Sequence, residues 1–369
     1  MRRTTDVVVV GGGPAGLAAA IAARLRGLQV VVMEAARPPL EKVCGEGLMP
    51  DALAALRRLG VCITPEHGAP FVGIRFVDGA QQVDARFPHG LGVGLRRPLL
   101  HAYLVERARA LGVSLIWGTP VRTVTPTVLH SSGRSVAYRW LIAADGLHSA
   151  MRRWTGLNQF TVARRRLGFQ RHYRVTPWSD CVEIHWGQYC QACITPVSRD
   201  EVCVCLLTQD TTQRFASLFR LFPQVAARLA GAVPTTAVRG AVTGTHQLAR
   251  VTRDNVALLG DASGTVDALT GEGLCLAFQQ AERLSEALAT GDLSRYAIAH
   301  RRLGRRPRVM ASLLLLLDGR DWLRDRTIRT LTTEPTHFAR LLALHVGQRP
   351  LPSVDWKALL TFGWQFLAG

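Results

Sequence analysis

Asp6-Val7-Val8-Val9-Val10-Gly11-Gly12-Gly13-Pro14-Ala15-Gly16 is the stretch that decides the fold. The valine run reads as a short strand buried on both faces, and the glycines follow it without a spacer. Gly11 permits the tight turn, Gly13 lets backbone approach a pyrophosphate, and Gly16 lets the next helix pack closely on the strand. Pro14 and Ala15 belong to the same ligand-facing turn. An alanine-rich helix runs to about Arg26, Gly27 turns the chain, and a second β run from Gln29 to Met33 ends at Glu34. The helix N-terminus offers free N–H groups and a positive dipole end to phosphates. Glu34, with Ala35 beside it, is placed to accept bonds from a ribose diol. Strand, glycines, helix, strand and terminal acid in register make a dinucleotide fingerprint, but they do not separate FAD from NAD.

Working outward, a helical period covers 49–59, and β runs follow around 71–76 and 82–87. A helix from about Pro98 to Leu111 leads into strands at 113–117 and 138–144. Between about 160 and 248 the texture changes. Alternating runs at 181–186, 191–195 and 201–207 suggest an antiparallel sheet, interrupted by a helix near 211–221. A buried strand returns at 256–259, then a glycine-rich turn and a long helix from Gly273 to about Ala289. The remainder, from about 294, reads as helical and arginine-rich. These runs divide the chain into a discontinuous nucleotide domain (1–75, 96–160 and 249–295), a substrate domain (76–95 and 161–248) and a C-terminal helical region (296–369).

A second constellation selects FAD. Gly260-Asp261-Ala262 follows a strand, and Leu269-Thr270-Gly271-Glu272-Gly273 opens the next helix. An acid at a strand's end can bind a ribityl hydroxyl. The glycine-rich helix start can aim N–H groups at the flavin N1–C2 carbonyl, where negative charge gathers on reduction. An NAD dehydrogenase needs neither.

With these motifs in order, the chain resembles the flavoprotein hydroxylase superfamily with the para-hydroxybenzoate hydroxylase fold, and within it the geranylgeranyl reductase-like branch. The resemblance spans about residues 5–300. It rests on the fingerprint, Cys44-Gly45-Glu46-Gly47, Arg97-Pro98-Leu99-Leu100, Ala144-Asp145-Gly146-x-x-Ser149-x-x-Arg152, and Gly260-Asp261 with Gly271-Glu272-Gly273. It implies an α/β fold: a Rossmann-like FAD-binding domain of glutathione reductase-type βαβ, interrupted by an antiparallel substrate sheet, with C-terminal helices. It implies further that Arg97 sits near the FAD pyrophosphate or ribityl and that Val121 offers backbone to adenine. Asp145 and Gly146 then mark a motif shared between FAD support and NAD(P)H docking. Cys44 with Gly45 lies near the flavin, where the thiol either relays a proton or contacts the ring, or is simply a packed small residue.

Departures limit the resemblance. Around Pro196 the chain reads Gln191-Ala192-Cys193-Ile194-Thr195-Pro196, without the aromatics of the reductases or of flavin-dependent halogenases. Neither of the two lysines, Lys42 and Lys357, stands in the halogenase motif. Ala268 stands near the proline of the hydroxylases. The leading expectation is an NAD(P)H-dependent monooxygenase acting on a hydrophobic or aromatic small molecule. The alternatives are saturation of isoprenoid double bonds and a non-enzymatic flavin protein. His172, Glu183, His185 and His246 are candidate bases that spacing alone does not rank.

Composition bounds the partners. The 369 residues carry a net charge of +18, nearly all from scattered arginines, which lacks the basic stripe with interleaved aromatics of a nucleic-acid binder. No run approaches the roughly 18 apolar residues of a spanning helix, and the first strand leaves no room for an export signal, so a cytoplasmic protein is expected. The tail carrying Trp356, Leu360, Phe362 and Trp364 either packs on the body or rests on a membrane and receives lipids. Cys190, Cys193, Cys203 and Cys205 fall on alternating strands and read as core thiols; no metal is expected.

Overall fold

The computed structural model describes residues 3–348. Its first sheet is built on five parallel strands in the order Val256–Leu258, Arg134–Ala143, Arg3–Val10, Val30–Met33 and Ser114–Ile116. Val7, Val8 and Val9 are fully buried, as a strand covered on both faces requires. Helix Pro14–Leu25 packs on Arg3–Val10 and Val30–Met33, flanked by helices Arg97–Ala110 and Gly273–Thr290. Its buried alanines keep those approaches close.

The second sheet has the order Val233–Pro234, Phe160–Arg174, Glu201–Thr208, Cys190–Ser198, Cys181–Gly187, Gly73–Asp78 and Gln81–Arg86, with Arg239–Leu248 also paired to Phe160–Arg174. It is antiparallel except where Cys181–Gly187 meets Gly73–Asp78. The expected boundary at 75/76 therefore falls inside a strand, and the sheet claims the chain from Gly73. The boundary at 295/296 likewise falls inside helix Leu293–Leu317. The helix expected near 211–221 is two short ones, Phe215–Phe219 and Pro223–Arg228, divided at Phe222 by Pro223. A small three-stranded sheet of Gly47–Leu48, Gly92–Gly94 and Ala69–Phe71 holds the Cys44–Gly47 loop between the two large sheets.

Helices Asp321–Thr333 and Pro335–His345 pack on strand Gln81–Arg86. Ile328, Leu331, Phe338 and Leu342 there join Phe76 and Trp186 of the second sheet in one apolar cluster. The aromatic tail at 356–366 lies outside the described residues. Among the described residues, no helix is long and apolar enough to cross a membrane.

Candidate active site

Every residue of the expected cofactor set except Gly16 and Glu272 lines one cavity of about 1020 Å³. The glycines show why the fingerprint works. A Cβ at Gly16 would stand 1.8 Å from the Gly11 oxygen, and one at Gly11 would stand 2.3 Å from the Ala144 oxygen, at a φ of +111°. Those two positions serve chain packing. At Gly13 an added Cβ meets nothing within 4 Å, so that backbone faces open space. Gly13 caps helix Pro14–Leu25 without a side-chain acceptor, and Glu272 caps helix Gly273–Thr290 equally without one. Two helix N-termini with free N–H groups thus open onto the same cavity.

Acids and bases arrange themselves around this cradle. Glu34 accepts from Gly12 N (2.7 Å) and Ala36 N (2.9 Å), which ties the second strand to the glycine turn while the carboxylate lines the cavity. His101, absent from the sequence reading, is buried and bonds the Gly12 carbonyl from Nε2 at 2.9 Å. Burial pushes its pKa down, so the ring that braces the turn is neutral. Asp145 accepts from Ser149 Oγ (2.5 Å) and Met151 N (3.0 Å). Arg152 donates to Leu147 O (2.8 Å) and, across the cavity wall, to Ala262 O (3.1 Å). One arginine thus ties the Asp145 motif to the Asp261 motif. Burial opposes the charge on Asp261, but the ion pair with Lys42 and the nearby Arg97 hold its pKa below the usual carboxylate value. These residues fit FAD: uncapped helix ends for phosphate and pyrimidine, carboxylates for ribose and ribityl, and an arginine for negative charge.

Glu272 does not join that cradle. Its side chain is 1% exposed and turns to Arg306 (3.2 Å), which also bonds Asp51 (3.3 Å). Burial, reinforced by Asp51, pushes the Glu272 pKa up to about 8 despite Arg306. Its folded pKa stands above the unfolded value of about 4.3, so stability is greatest in acid and is lost as pH rises toward 8. Glu272→Gln, neutral throughout, has no such loss. Its melting temperature relative to the native protein should climb between pH 5 and 8. With each pKa unit worth roughly 1.4 kcal/mol and Arg306 offsetting part, the gain is on the order of 1–3 kcal/mol. A difference independent of pH in thermal scans would refute it.

Beyond the cradle the cavity turns apolar. It passes Phe71, Ile184 and Leu207 of the second sheet and reaches Leu313, Leu317 and Leu341 of the C-terminal helices. Cys203 and Cys205 share a face with Cys193 while Cys190 packs in a different cluster, as strand alternation requires. Among the candidate bases, His185 bonds Glu183 (2.8 Å), which also takes Trp178 (3.1 Å) and Arg75 (3.3 Å). His246 bonds Thr265 (2.9 Å). Both serve the sheet. His172 differs, because its Nε2 donates to Glu46 at 2.7 Å and Glu46 lines the cavity beside Cys44.

Two uncapped helix ends, a Rossmann βαβ and the acid-bearing turns define an FAD-dependent oxidoreductase, and an enzyme. Residues 4–291 match the FAD binding domain family; the chain belongs to it, and with it to the para-hydroxybenzoate hydroxylase-type FAD monooxygenase superfamily. It is 29% identical to the menaquinone reductase of Mycolicibacterium smegmatis over 81% of this chain and 80% of that protein. It is 27% identical to the FAD-dependent urate hydroxylase of Klebsiella oxytoca, over 78% and 81%. Among solved structures, a flavoprotein/dehydrogenase from Cytophaga hutchinsonii superposes with a TM-score of 0.80 at 18% identity, covering 93% of both chains. The geranylgeranyl reductase-like branch is not singled out by these likenesses.

Proposed function

We propose that the protein is an NAD(P)H-dependent flavin monooxygenase whose substrate is a long lipophilic molecule carrying an oxidisable ring. The observation that carries this reading is the cavity itself. It runs without a break from the cofactor cradle to the leucines of helix Leu293–Leu317. Such a lining recognises shape and apolar surface, with few polar groups to orient a small hydrophilic substrate. Bound FAD supplies the redox chemistry; this chain's residues hold it, aim the substrate at it and exclude water. Leu313 and Leu316 line the cavity yet are 45% and 44% exposed, which makes them the lips of its mouth. Val309, Arg305 and Arg302 continue that exposed face at helical spacing. This is where the protein would rest on an anionic bilayer to receive a lipid-borne substrate.

A second reading, saturation of an isoprenoid double bond, draws on the likeness to menaquinone reductase across most of the chain. Menaquinone carries an isoprenoid tail of the kind such a cavity accommodates. The two readings separate on oxygen. The purified holoenzyme is bleached anaerobically with NADPH or NADH and then given polyprenyl quinones or long-chain phenols, with and without oxygen. Incorporation of an atom from labelled O₂ supports the monooxygenase. Loss of a substrate double bond without oxygen supports the reductase. Ile184→Trp, which fills the cavity wall, should lower kcat/KM for long substrates by about 10-fold or more while leaving flavin reduction by NAD(P)H unchanged. Equal losses in both half-reactions would remove the cavity as the substrate site.

A further inference from the structure

We infer that Glu46 and His172 form a proton relay from the protein surface to the flavin-facing loop. This rests on the reading that the cavity at Cys44–Gly47 is where chemistry occurs. The geometry is continuous. Glu46 is 4% exposed, lines the cavity, and stands at a φ of +58°, an uncommon conformation for a non-glycine residue. Its Oε1 accepts from Arg97 N at 2.8 Å and its Oε2 accepts from His172 Nε2 at 2.7 Å. On the far side His172 Nδ1 bonds Thr236 Oγ1 at 3.0 Å, and Thr236 is half-buried, within reach of water. A proton therefore has three hydrogen-bonded stations between solvent and cavity.

The surrounding groups keep the relay loaded. Burial opposes an imidazolium, but hydrogen bonds to the Cys203 sulfur and the Glu46 carboxylate overcome it and lift the His172 pKa to about 9. The other groups facing the pair are Arg96, 3.9 Å from Glu46 and paired with Glu201, the Cys44 carbonyl held by Gln170, and Cys205. Burial pushes Cys203 well up, so it is a thiol at neutral pH. Glu46, His172 and Cys203 lie close together, but the hydrogen bonds among them satisfy the acid and the imidazole without an ion.

The chemistry calls for such a store under either functional reading. Monooxygenation combines substrate, O₂, NAD(P)H and one proton to give hydroxylated product, water and NAD(P)⁺. Alkene saturation combines substrate, NAD(P)H and one proton to give the saturated product and NAD(P)⁺. Each consumes one proton per turnover. In the relay, the His172 Nε2 proton moves to Glu46 and Glu46 delivers it into the cavity. The ring, left neutral with its second proton still on Nδ1 toward Thr236, turns between turnovers to take a fresh proton from solvent at the bare Nε2.

Two measurements test the relay. In the first, the His172 imidazole is titrated by NMR in the apoprotein. It should stay charged to about pH 9, and Glu46→Gln should lower its pKa by about one unit or more. In the second, dithionite-reduced holoenzyme is mixed with menadione, whose two-electron reduction also requires a proton from outside the flavin. The native rate should fall above about pH 9 and slow in D₂O. Glu46→Gln and His172→Gln should be about 10- to 100-fold slower, without the alkaline limb or the isotope effect, while Glu46→Asp restores part of the rate. If either glutamine variant fails to fold or hold FAD, Thr236→Val at the solvent end should still reduce the isotope effect. Native pH profiles in the variants, or an uncharged His172 at neutral pH, would overturn the relay. Because neither measurement uses NAD(P)H, oxygen or a long-chain substrate, failure of the proposed function alone leaves both results unchanged.

Discussion

Gly13→Val should yield a folded, colourless protein. The variant isolates cofactor binding from folding because of where the new side chain would point. At Gly16 a Cβ strikes the Gly11 oxygen at 1.8 Å, so substitution there strains the packing of helix on strand. At Gly13 the same atom meets no protein within 4 Å, and the residue already has an extended conformation that valine accepts, with φ −72° and ψ 177°. The branched side chain would instead stand in front of the free N–H groups of helix Pro14–Leu25, where the pyrophosphate approaches. Loss of close contact and of several N–H···O bonds to a charged group should weaken FAD by at least about 100-fold, or roughly 3 kcal/mol. Far-UV circular dichroism should match the native apoprotein, and the flavin absorbance of the purified variant should be near zero. A yellow Gly13→Val protein with native FAD content would mean that the pyrophosphate does not lie over this turn.

That contrast between Gly13 and Gly16 also shows what the sequence discloses and what it hides. Residues whose role follows from neighbours along the chain were legible. The Val7–Val10 run reads as a buried parallel strand because alternation is absent, and Gly11, Gly13 and Gly16 fall at the spacing one turn requires. The acid-bearing turns at Asp145 and Asp261 could be placed because each ends a recognisable strand. Pairings set by the tertiary fold were not. Nothing near Glu46 announces His172, 126 positions away, and nothing near Lys42 announces Asp261. His172 was in view as one of several histidines on alternating strands, and only the third dimension separates it from His185 and His246. Glu272 shows the same limit. Its motif reads as a backbone cradle, and Gly271 and Gly273 do line the cavity, but nothing near it along the chain announces that the carboxylate packs behind against Arg306.

The largest stability loss should come from Arg166→Met. Arg166 is 3% exposed and donates to Asp267 at 2.9 Å, to Gln191, and toward Asp318 at 3.7 Å. Asp318 is held in turn by Gln191 (2.8 Å) and Gln209 (2.7 Å). One guanidinium thus joins three parts of the molecule: the second sheet, the turn before Leu269–Gly273, and the end of helix Leu293–Leu317. Methionine fills a similar volume, so little is lost from packing, but Asp267 and Asp318 are left buried without their cation. An uncompensated buried charge costs about 3–5 kcal/mol, more than removing the pair as a whole. Asp267 also accepts from Leu269 N at 3.1 Å, so its displacement should loosen the flavin-facing turn as well as the fold. Chemical denaturation should report a loss in that range, accompanied by weaker FAD retention. Adding Asp267→Asn to Arg166→Met should recover part of the stability, because the double variant no longer buries that charge. If the double variant is instead as unstable as the sum of the two single ones, the network contributes through shape rather than charge.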